Sequence, residues 1–405
     1  MKILIVGSGG REHALAWRLS RTAEVYAIPG NPGIAQVATC LPAGDALAAA
    51  DAVGADLTVV GPEAPLVEGI VDRFRAAGRA IFGPTAAAAQ LEGSKIFAKN
   101  FLMQRNIATA RFVTAENEQA ARRAIAQFGF PVVLKADGLM AGKGVIVAQN
   151  QADADAALST LRGRLVVEEF LAGEEVSFIA VCDGKRAVPL AATQDHKAVF
   201  DGDKGPNTGG MGAYCDGGIL SEAQSRQIMN TVILPTVEAT GFTGFLYAGL
   251  MMTRSGPKVL EFNVRMGDPE TQPLMHRLDC DFAEVLASAA HGRLDDAPLH
   301  WKSGPSACVV LASGGYPGAF KTGFPITGIE DCGATVFHAG TRQGPHGIET
   351  AGGRVLGVTD SGDTLEQALD RTYAAVRKIH FEGMHYRTDI GRRRKAATIK
   401  TDPGT

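Results

Sequence analysis

Glu261 and Asn263 stand two residues apart in the stretch Glu261-Phe262-Asn263-Val264-Arg265. Alternation along a strand would place Glu261, Asn263 and Arg265 on one face. A carboxylate and an amide oxygen spaced this way can both ligate Mg²⁺, a hard cation that prefers oxygen, with Mn²⁺ as the alternative. Arg265 would then lie beside bound phosphates. The plain alternative is the polar face of an exposed strand. The acids and backbone-bending residues of Gly267-Asp268-Pro269-Glu270-Thr271-Gln272, which follow at once, weigh against it.

A second group is Lys135-Ala136-Asp137-Gly138-Leu139-Met140-Ala141-Gly142-Lys143-Gly144. Lys135 closes an apolar run and can neutralise phosphate as a point cation, while the glycines let the chain fold closely over a ligand. The GxxxxGK[ST] spacing of a P-loop is absent. A third group, Gly7-Ser8-Gly9-Gly10-Arg11-Glu12, follows a buried strand and opens a helix, so its backbone N–H groups can meet an anion. Glu12 stands where the dinucleotide fingerprint needs glycine, which disfavours a nicotinamide cofactor. Phosphate or sugar-phosphate binding and a plain tight turn both stay open. A fourth, Gly205-Pro206-Asn207-Thr208-Gly209-Gly210-Met211-Gly212, reads as a mobile loop, either covering a ligand or merely linking. Just upstream, Gln194-Asp195-His196-Lys197 ends a strand; a lone His196 is read as structural.

These groups need elements to hold them. Ile3-Leu4-Ile5-Val6, Val25-Tyr26-Ala27-Ile28, Leu57-Thr58-Val59-Val60 and Ala80-Ile81-Phe82 are short apolar runs separated by helical patterns, the rhythm of a parallel sheet with helices on both faces. Leu66, Ile70, Val71 and Phe74 recur at helical spacing. Residues 85–106 read as helical, interrupted at Gly93. Short strands at 132–135, 145–147, 165–170 and 176–181 suggest an antiparallel α+β unit, and 244–264 a hairpin turning at Ser255-Gly256-Pro257. After Trp301 come strands at 308–311, 335–338 and 354–358 and a helix bearing Leu365, Leu369 and Val376. The basic stretch from Arg392 to Lys395 reads as a frayed, solvated end.

The chain has 405 residues, enough for two or three domains, with 45% hydrophobic residues and a net charge of only −3. That balance argues against general nucleic-acid affinity, which needs a strong positive field. No two of the six cysteines form a CxxC pair. No signal-peptide pattern and no run approaching the roughly 20 apolar residues of a membrane span is found. A cytoplasmic protein is expected.

Taken in order, GGREHALAW at 9–17, VGPEAPLVEGIVD at 60–72, LEGSKIFAK at 91–99, KADGLMAGKGV at 135–145, EEFLAGEEVSF at 168–178, QDHK at 194–197, GPNTGGMGAY at 205–214, EFNVRMGDPETQ at 261–272 and GGRVLGVT at 352–359 resemble the glycinamide ribonucleotide synthetase family of the ATP-grasp superfamily. The likeness runs from the first strand to about Gly391. It implies an α/β N-terminal parallel-sheet (pre-ATP-grasp) domain at 1–94 and a central ATP-grasp fold at 95–300 with a mobile lid at about 109–180. A C-terminal mixed α/β domain at 301–398 and a tail at 399–405 complete the expectation. The activity implied is ligation of glycine to 5-phosphoribosylamine with ATP, through a glycyl phosphate, in a monomer or dimer. Carried over by position, Lys95 and Lys135 match phosphate-binding lysines; Glu168, Glu169, Phe170 and Leu171 match an adenine-lining segment acting mostly through its backbone; and Glu175 matches a ribose-hydroxyl acceptor. Glu261 and Asn263 match the Mg²⁺ ligands. Lys135, Arg265 and Asp268 are expected at the chemistry, and Gly9, Gly10, Arg11, Asp195, Gly210, Asp268 and Glu270 at the other substrates. The sequence departs from superfamily habit in having no acid between Phe245 and Met252, and in Met140 and Met266. A sibling ATP-grasp ligase, and a nucleotide-binding protein without turnover, are the rival readings.

Overall fold

The computed structural model describes residues 1–140, 144–294 and 299–392. Strands β1 (Lys2–Gly7), β2 (Glu24–Pro29), β3 (Thr39–Cys40), β4 (Leu57–Val60) and β5 (Ile81–Phe82) form a parallel sheet in the order β3-β2-β1-β4-β5. The apolar runs make this sheet because both faces are covered. Ile3 and Ile5 pack with Ala14, Leu15 and Leu19 of the helix Gly10–Leu19. Leu4 and Val6 pack the other way, against Leu66, Val71 and Phe74. The strand order reverses beside β1, and at such a switch point the strand ends open a crevice. The turn after β1 therefore aims Arg11 at whatever lies beyond the sheet, while Glu12 folds back into the turn.

The next strands are β6 (Phe112–Ala115), β7 (Val132–Ala136), β8 (Val145–Ala148) and β9 (Leu165–Glu169), antiparallel in the order β6-β9-β7-β8. The helices Glu118–Phe128 and Gln151–Thr160 supply Ala121, Ile125, Ala154 and Leu158 to a small core of their own beneath it. A larger sheet follows. Its strands are β10 (Glu174–Asp183), β11 (Ala187–Pro189), β12 (Thr193–Asp195), β15 (Gly212–Cys215), β16 (Thr243–Thr253), β17 (Gly256–Asn263), β18 (Ser306–Ala312), β19 (Thr335–His338) and β22 (Arg354–Ser361). Two separate hairpins lie between them in the chain: β13 (Ala198–Phe200) with β14 (Lys204–Asn207), and β20 (Thr341–Gly344) with β21 (Gly347–Thr350). The large sheet runs β17-β16-β10-β12-β15-β18-β22-β19, with β11 on β10. Pairing of Ala213 with Cys308 joins the last strands to the earlier ones, so the sheet is continuous past Trp301.

Four expectations change in detail. The helical stretch 85–106 is two helices, Ala86–Gly93 and Lys95–Gln104, and Ser94 both ends the first and caps the second by accepting from Phe97 N. Residues 66–74 span two helices, Glu63–Val67 and Ile70–Ala76, parted by Gly69 at φ +89°. The hairpin turns at Arg254 and Ser255; Gly256 and Pro257 are already in β17, a sheet edge where a missing N–H is tolerated. The stretch 205–212, read as a loop, includes the end of β14 and the start of β15, with only residues 208–211 between them. The basic run from 393 onward lies outside the described residues, as do Ala141, Gly142 and Lys143. Among the described residues no helix is long and apolar enough to cross a membrane.

A buried histidine pair fastens the first unit to the last strands. His13 Nδ1 accepts from His338 N at 2.8 Å, and Asn31 Nδ2 donates to the carbonyls of Ser8 and His338. Burial, reinforced by the neighbouring His338, pushes His13 down to about 3, and burial alone pushes His338 down to about 4. Both rings are neutral in the folded protein at pH 7, whereas the unfolded chain takes up protons near 6.5. The pair's contribution is therefore complete above about pH 6.5 and is lost as pH falls from there toward 4, by about 2 kcal/mol per ring at pH 5. Thermal melts between pH 7.5 and 5 will show a steep fall in midpoint, and His13→Gln will flatten that fall while lowering the midpoint at pH 7.5. An equally steep slope in the variant contradicts the assignment.

Candidate active site

The three units enclose a cleft of about 670 Å³ reached by Arg11 and Glu63 from the first, Lys135 and Glu168 from the small sheet, Glu261 and Asn263 from the large one, Tyr316 from the turn after β18 and Arg354 from β22. β7 delivers Lys135 and the helix Lys95–Gln104 delivers Lys95 and Lys99, all three facing the cleft. Lys95 Nζ donates to Gly138 O at 2.9 Å, which ties the helix to the start of the glycine loop. Lys135 Nζ donates to Leu260 O at 2.8 Å and lies 3.0 Å from Glu168 Oε1, without the alignment of a hydrogen bond. Lys99 Nζ lies 3.1 Å from the other oxygen, Oε2, and donates to Thr109 Oγ1 at 2.6 Å.

On β17, Glu261 and Asn263 both face the cleft, and Arg265 just beyond the strand does too, as alternation requires. Arg265 binds Glu63 Oε2 at 3.2 Å, Glu92 Oε1 at 2.8 Å and Asn263 Oδ1 at 3.0 Å. Burial opposes the Glu261 charge, but Lys197, Lys135, Lys95 and Arg265 together hold its carboxyl below the usual range. Glu175 is ion-paired to Lys197, whose Nζ is also 3.9 Å from Glu261 Oε1; burial works against this ammonium, and Glu175, Asp195 and Glu261 more than offset it.

Two acids close the far end. Asp268 accepts from Gln272 Nε2 at 2.8 Å and Arg354 Nη2 at 3.2 Å, and against burial Arg354 and Arg11 keep it ionised. Arg354 Nη1 also reaches Gly209 O at 2.8 Å. Gly210 packs under this contact at φ +118°, and a Cβ there would meet Pro269 Cδ at 2.5 Å, so only glycine fits the turn. Glu270 is buried, and both donors to its Oε1 are neutral hydroxyls: Tyr247 at 2.7 Å and Ser177 at 3.3 Å.

Most residues expected from the sequence meet in this one cleft. Lys95, Lys135, Glu168, Glu169, Phe170, Leu171, Glu175, Asp195, Glu261, Asn263, Arg265, Asp268, Glu270 and Arg11 line it. Gly9, Gly10 and Gly210 support it from behind and are not among the lining residues. Glu12 fills the turn after β1, accepting from Gly9 N at 2.5 Å and binding Arg11 Nε at 2.7 Å, so this turn is occupied by a side chain of the protein itself. The Glu168 side chain is committed to two lysines. Lys99, Lys197 and Arg354 lie inside the family-like motifs without a local pattern that assigns them a role, except that Lys99 stands one turn after Lys95 on the same helix. Tyr247 sits in the acid-free stretch of β16 and fills part of the cleft wall.

Glu261 and Asn263 suit a divalent metal by donor type: an ionised carboxylate and a neutral amide oxygen, facing the same space as the lysines, with room for phosphate oxygens to complete the set. Among the described residues no cluster of three or more His, Cys, Asp or Glu side chains makes a self-sufficient metal site.

A small antiparallel sheet and a larger one facing each other across lysines and a carboxylate–amide pair define an ATP-grasp enzyme, an ATP-dependent ligase that uses a divalent metal. Residues 1–92, 93–271 and 306–393 match the N, ATP-grasp (A) and C domains of phosphoribosylglycinamide synthetase. The chain belongs to this family. It is 49% identical to the phosphoribosylamine–glycine ligase of Xylella fastidiosa strain 9a5c, with 96% of each chain covered, and 46% identical to that of Escherichia coli O157:H7, covering 96% of this chain and 98% of the relative. The crystal structure of phosphoribosylamine–glycine ligase from Thermotoga maritima superposes with a TM-score of 0.85 at 35% identity, covering 96% of this chain and all of that one. The biotin carboxylase domain of a Hydrogenobacter thermophilus 2-oxoglutarate carboxylase shares the fold, at TM-score 0.70 and 17% identity.

Glu261→Gln keeps the strand and removes the charge. It should raise the Mg²⁺ concentration for half-maximal ADP formation at least about tenfold. An unchanged Mg²⁺ dependence would show that this pair does not hold the ion.

Proposed function

We propose that this chain joins glycine to 5-phosphoribosylamine, converting ATP to ADP and phosphate and yielding glycinamide ribonucleotide for purine biosynthesis. The observation that carries the proposal is the convergence of Lys95, Lys135, Glu261, Asn263 and Glu270 on one cleft in a chain that matches the family over nearly its whole length. Lys95 and Lys135 hold the ATP phosphates, and Glu175 takes a ribose hydroxyl. Phe170 and Leu171 flank the base. Glu261 and Asn263 hold Mg²⁺, which neutralises phosphate charge when bound. Both donors are hard oxygens, which suit Mg²⁺ and equally admit Mn²⁺.

Glycine lies with its carboxylate toward the phosphates. Its ammonium is received by Glu270, a buried carboxylate whose hydrogen-bonded donors carry no charge, rather than by Asp268, which Arg354 and Gln272 already occupy. A carboxylate oxygen of glycine attacks the γ-phosphorus, the bond to ADP breaks, and glycyl phosphate forms. The ribosylamine nitrogen then attacks the carbonyl carbon, phosphate leaves with that oxygen, and the nitrogen loses a proton. No step needs a protein nucleophile; the side chains position and neutralise. Closure of residues 109–180 as a lid would keep water from the acyl phosphate. The units at 1–94, 95–300 and 301–398 act together, in the cytoplasm, on small molecules and not on nucleic acid, as a monomer or dimer.

ADP formation is to be followed with glycine and amine together, with each omitted, and with alanine or formate in place of glycine. Only the complete mixture should turn over fully. Alanine should be about ten- to two-hundredfold worse, the usual worth of one added methyl in a close pocket. Formate outperforming glycine would move the chain to a sibling activity. An unchanged KM for glycine in Glu270→Gln would remove the ammonium site alone.

A further inference from the structure

Resting on the reading that Lys135 holds ATP phosphate, we propose that Lys99 is a positioning residue that balances Glu168 and so leaves Lys135 a net positive charge to offer the nucleotide.

The geometry is that of one carboxylate between two ammonium groups. Glu168 Oε1 is 3.0 Å from Lys135 Nζ and Oε2 is 3.1 Å from Lys99 Nζ. All three side chains are buried: Lys99 is 3% exposed, Lys135 6% and Glu168 1%. Without Lys99, a single carboxylate would face a single ammonium at contact distance, and the pair would present no net charge to a phosphate. With Lys99, the cluster carries +1, and Lys135 is the member placed beside β17 and Glu261, through its bond to Leu260 O.

Lys99 is built into this place. It donates to Thr109 Oγ1 at 2.6 Å, and Thr109 in turn donates to Val259 O at 2.6 Å, which ties the ammonium to the strand that carries Glu261. Its Nζ also lies 5.6 Å from the centroid of the Phe112 ring. Burial, only partly countered by Glu168 and deepened by Lys135, pushes this lysine down to about 8. That cost buys no surface solubility and no helix pairing, and balancing Glu168 is what it accomplishes. Glu168, in the same way, is not an exposed rim acid but a buried counter-ion in the cleft wall.

A field effect of this kind has a signature that a packing role lacks: affinity follows the cluster's net charge rather than the number of contacts left. The charges are +1 in the natural protein, 0 in Lys99→Met, +2 in Glu168→Gln and +1 again in Lys99→Met with Glu168→Gln. Titration calorimetry with MgATP, in the absence of glycine and amine, reads the outcome, with circular dichroism confirming each fold. Lys99→Met should weaken MgATP about tenfold or more, as expected for one charge lost near a polyphosphate. The double variant should return to within about threefold of the natural protein although it retains fewer contacts, and Lys99→Arg should stay near it. Should Lys99→Met not fold, Glu168→Gln against the double variant supplies the same comparison: the double variant must bind more weakly. Losses that add in the double variant, or Lys99→Met binding as tightly as the natural protein, overturn the proposal. Lys135→Met is the separate control: unchanged MgATP affinity there would sink the reading of Lys135 itself, independently of Lys99.

Discussion

Arg265 touches Glu63 from the first unit, Glu92 at the end of the helix Ala86–Gly93, and Asn263 on β17. One guanidinium thus fixes the distance between the parallel sheet and the strand that carries Glu261. Its planar fork spreads five donors over three nitrogens and so reaches acceptors set further apart than one lysine ammonium can. Glu92 accepts from Val264 N at 2.7 Å as well, so the arginine and the backbone beside it share an anchor. Burial raises the Glu92 carboxyl and Arg265 opposes that rise, while burial's pull on Arg265 is overcome by Glu92 and Glu63, which lift it above its ordinary range. Breaking a buried arrangement by removing one partner leaves an uncompensated charge, the costly outcome in a low-dielectric interior.

Around this anchor the cleft is arranged as alternating charges. Lys135 faces Glu168, Lys197 faces Glu175, and Arg354 faces Asp268. A triphosphate carries more negative charge than any one cation can offset, and the same space must also accept an ammonium and a sugar phosphate. Setting carboxylates beside these cations keeps the site from being a general anion trap, and the strength left over in each region depends on how fully its charges are balanced. Glu270 accepts from the neutral hydroxyls of Tyr247 and Ser177, which suits the ammonium-binding role proposed for it.

Much of this was legible in the sequence. The buried parallel strands announced themselves as unbroken apolar runs, because burial on both faces removes the polar alternation. The Glu261–Asn263 pair was legible because strand period is two. The residues that were missed are those whose role depends on partners far along the chain. Lys99 meets Glu168 across 69 positions, a span read from their numbering in the sequence, and no spacing rule foretells such a meeting. The stretch 205–212 misled for a related reason: glycines read as freedom, yet here Gly210 is required by close packing against Pro269. Continuity of the large sheet beyond Trp301 was likewise invisible, since pairing of β15 with β18 joins segments some ninety residues apart.

The central claim is that glycine is activated at its carboxylate by the γ-phosphate of ATP. Glycine labelled with ¹⁸O in both carboxylate oxygens tests it directly. Mass analysis of the phosphate formed with 5-phosphoribosylamine should find one ¹⁸O atom per turnover, because the oxygen that attacks phosphorus leaves with it. Phosphate free of label, or label appearing in AMP, would contradict the account.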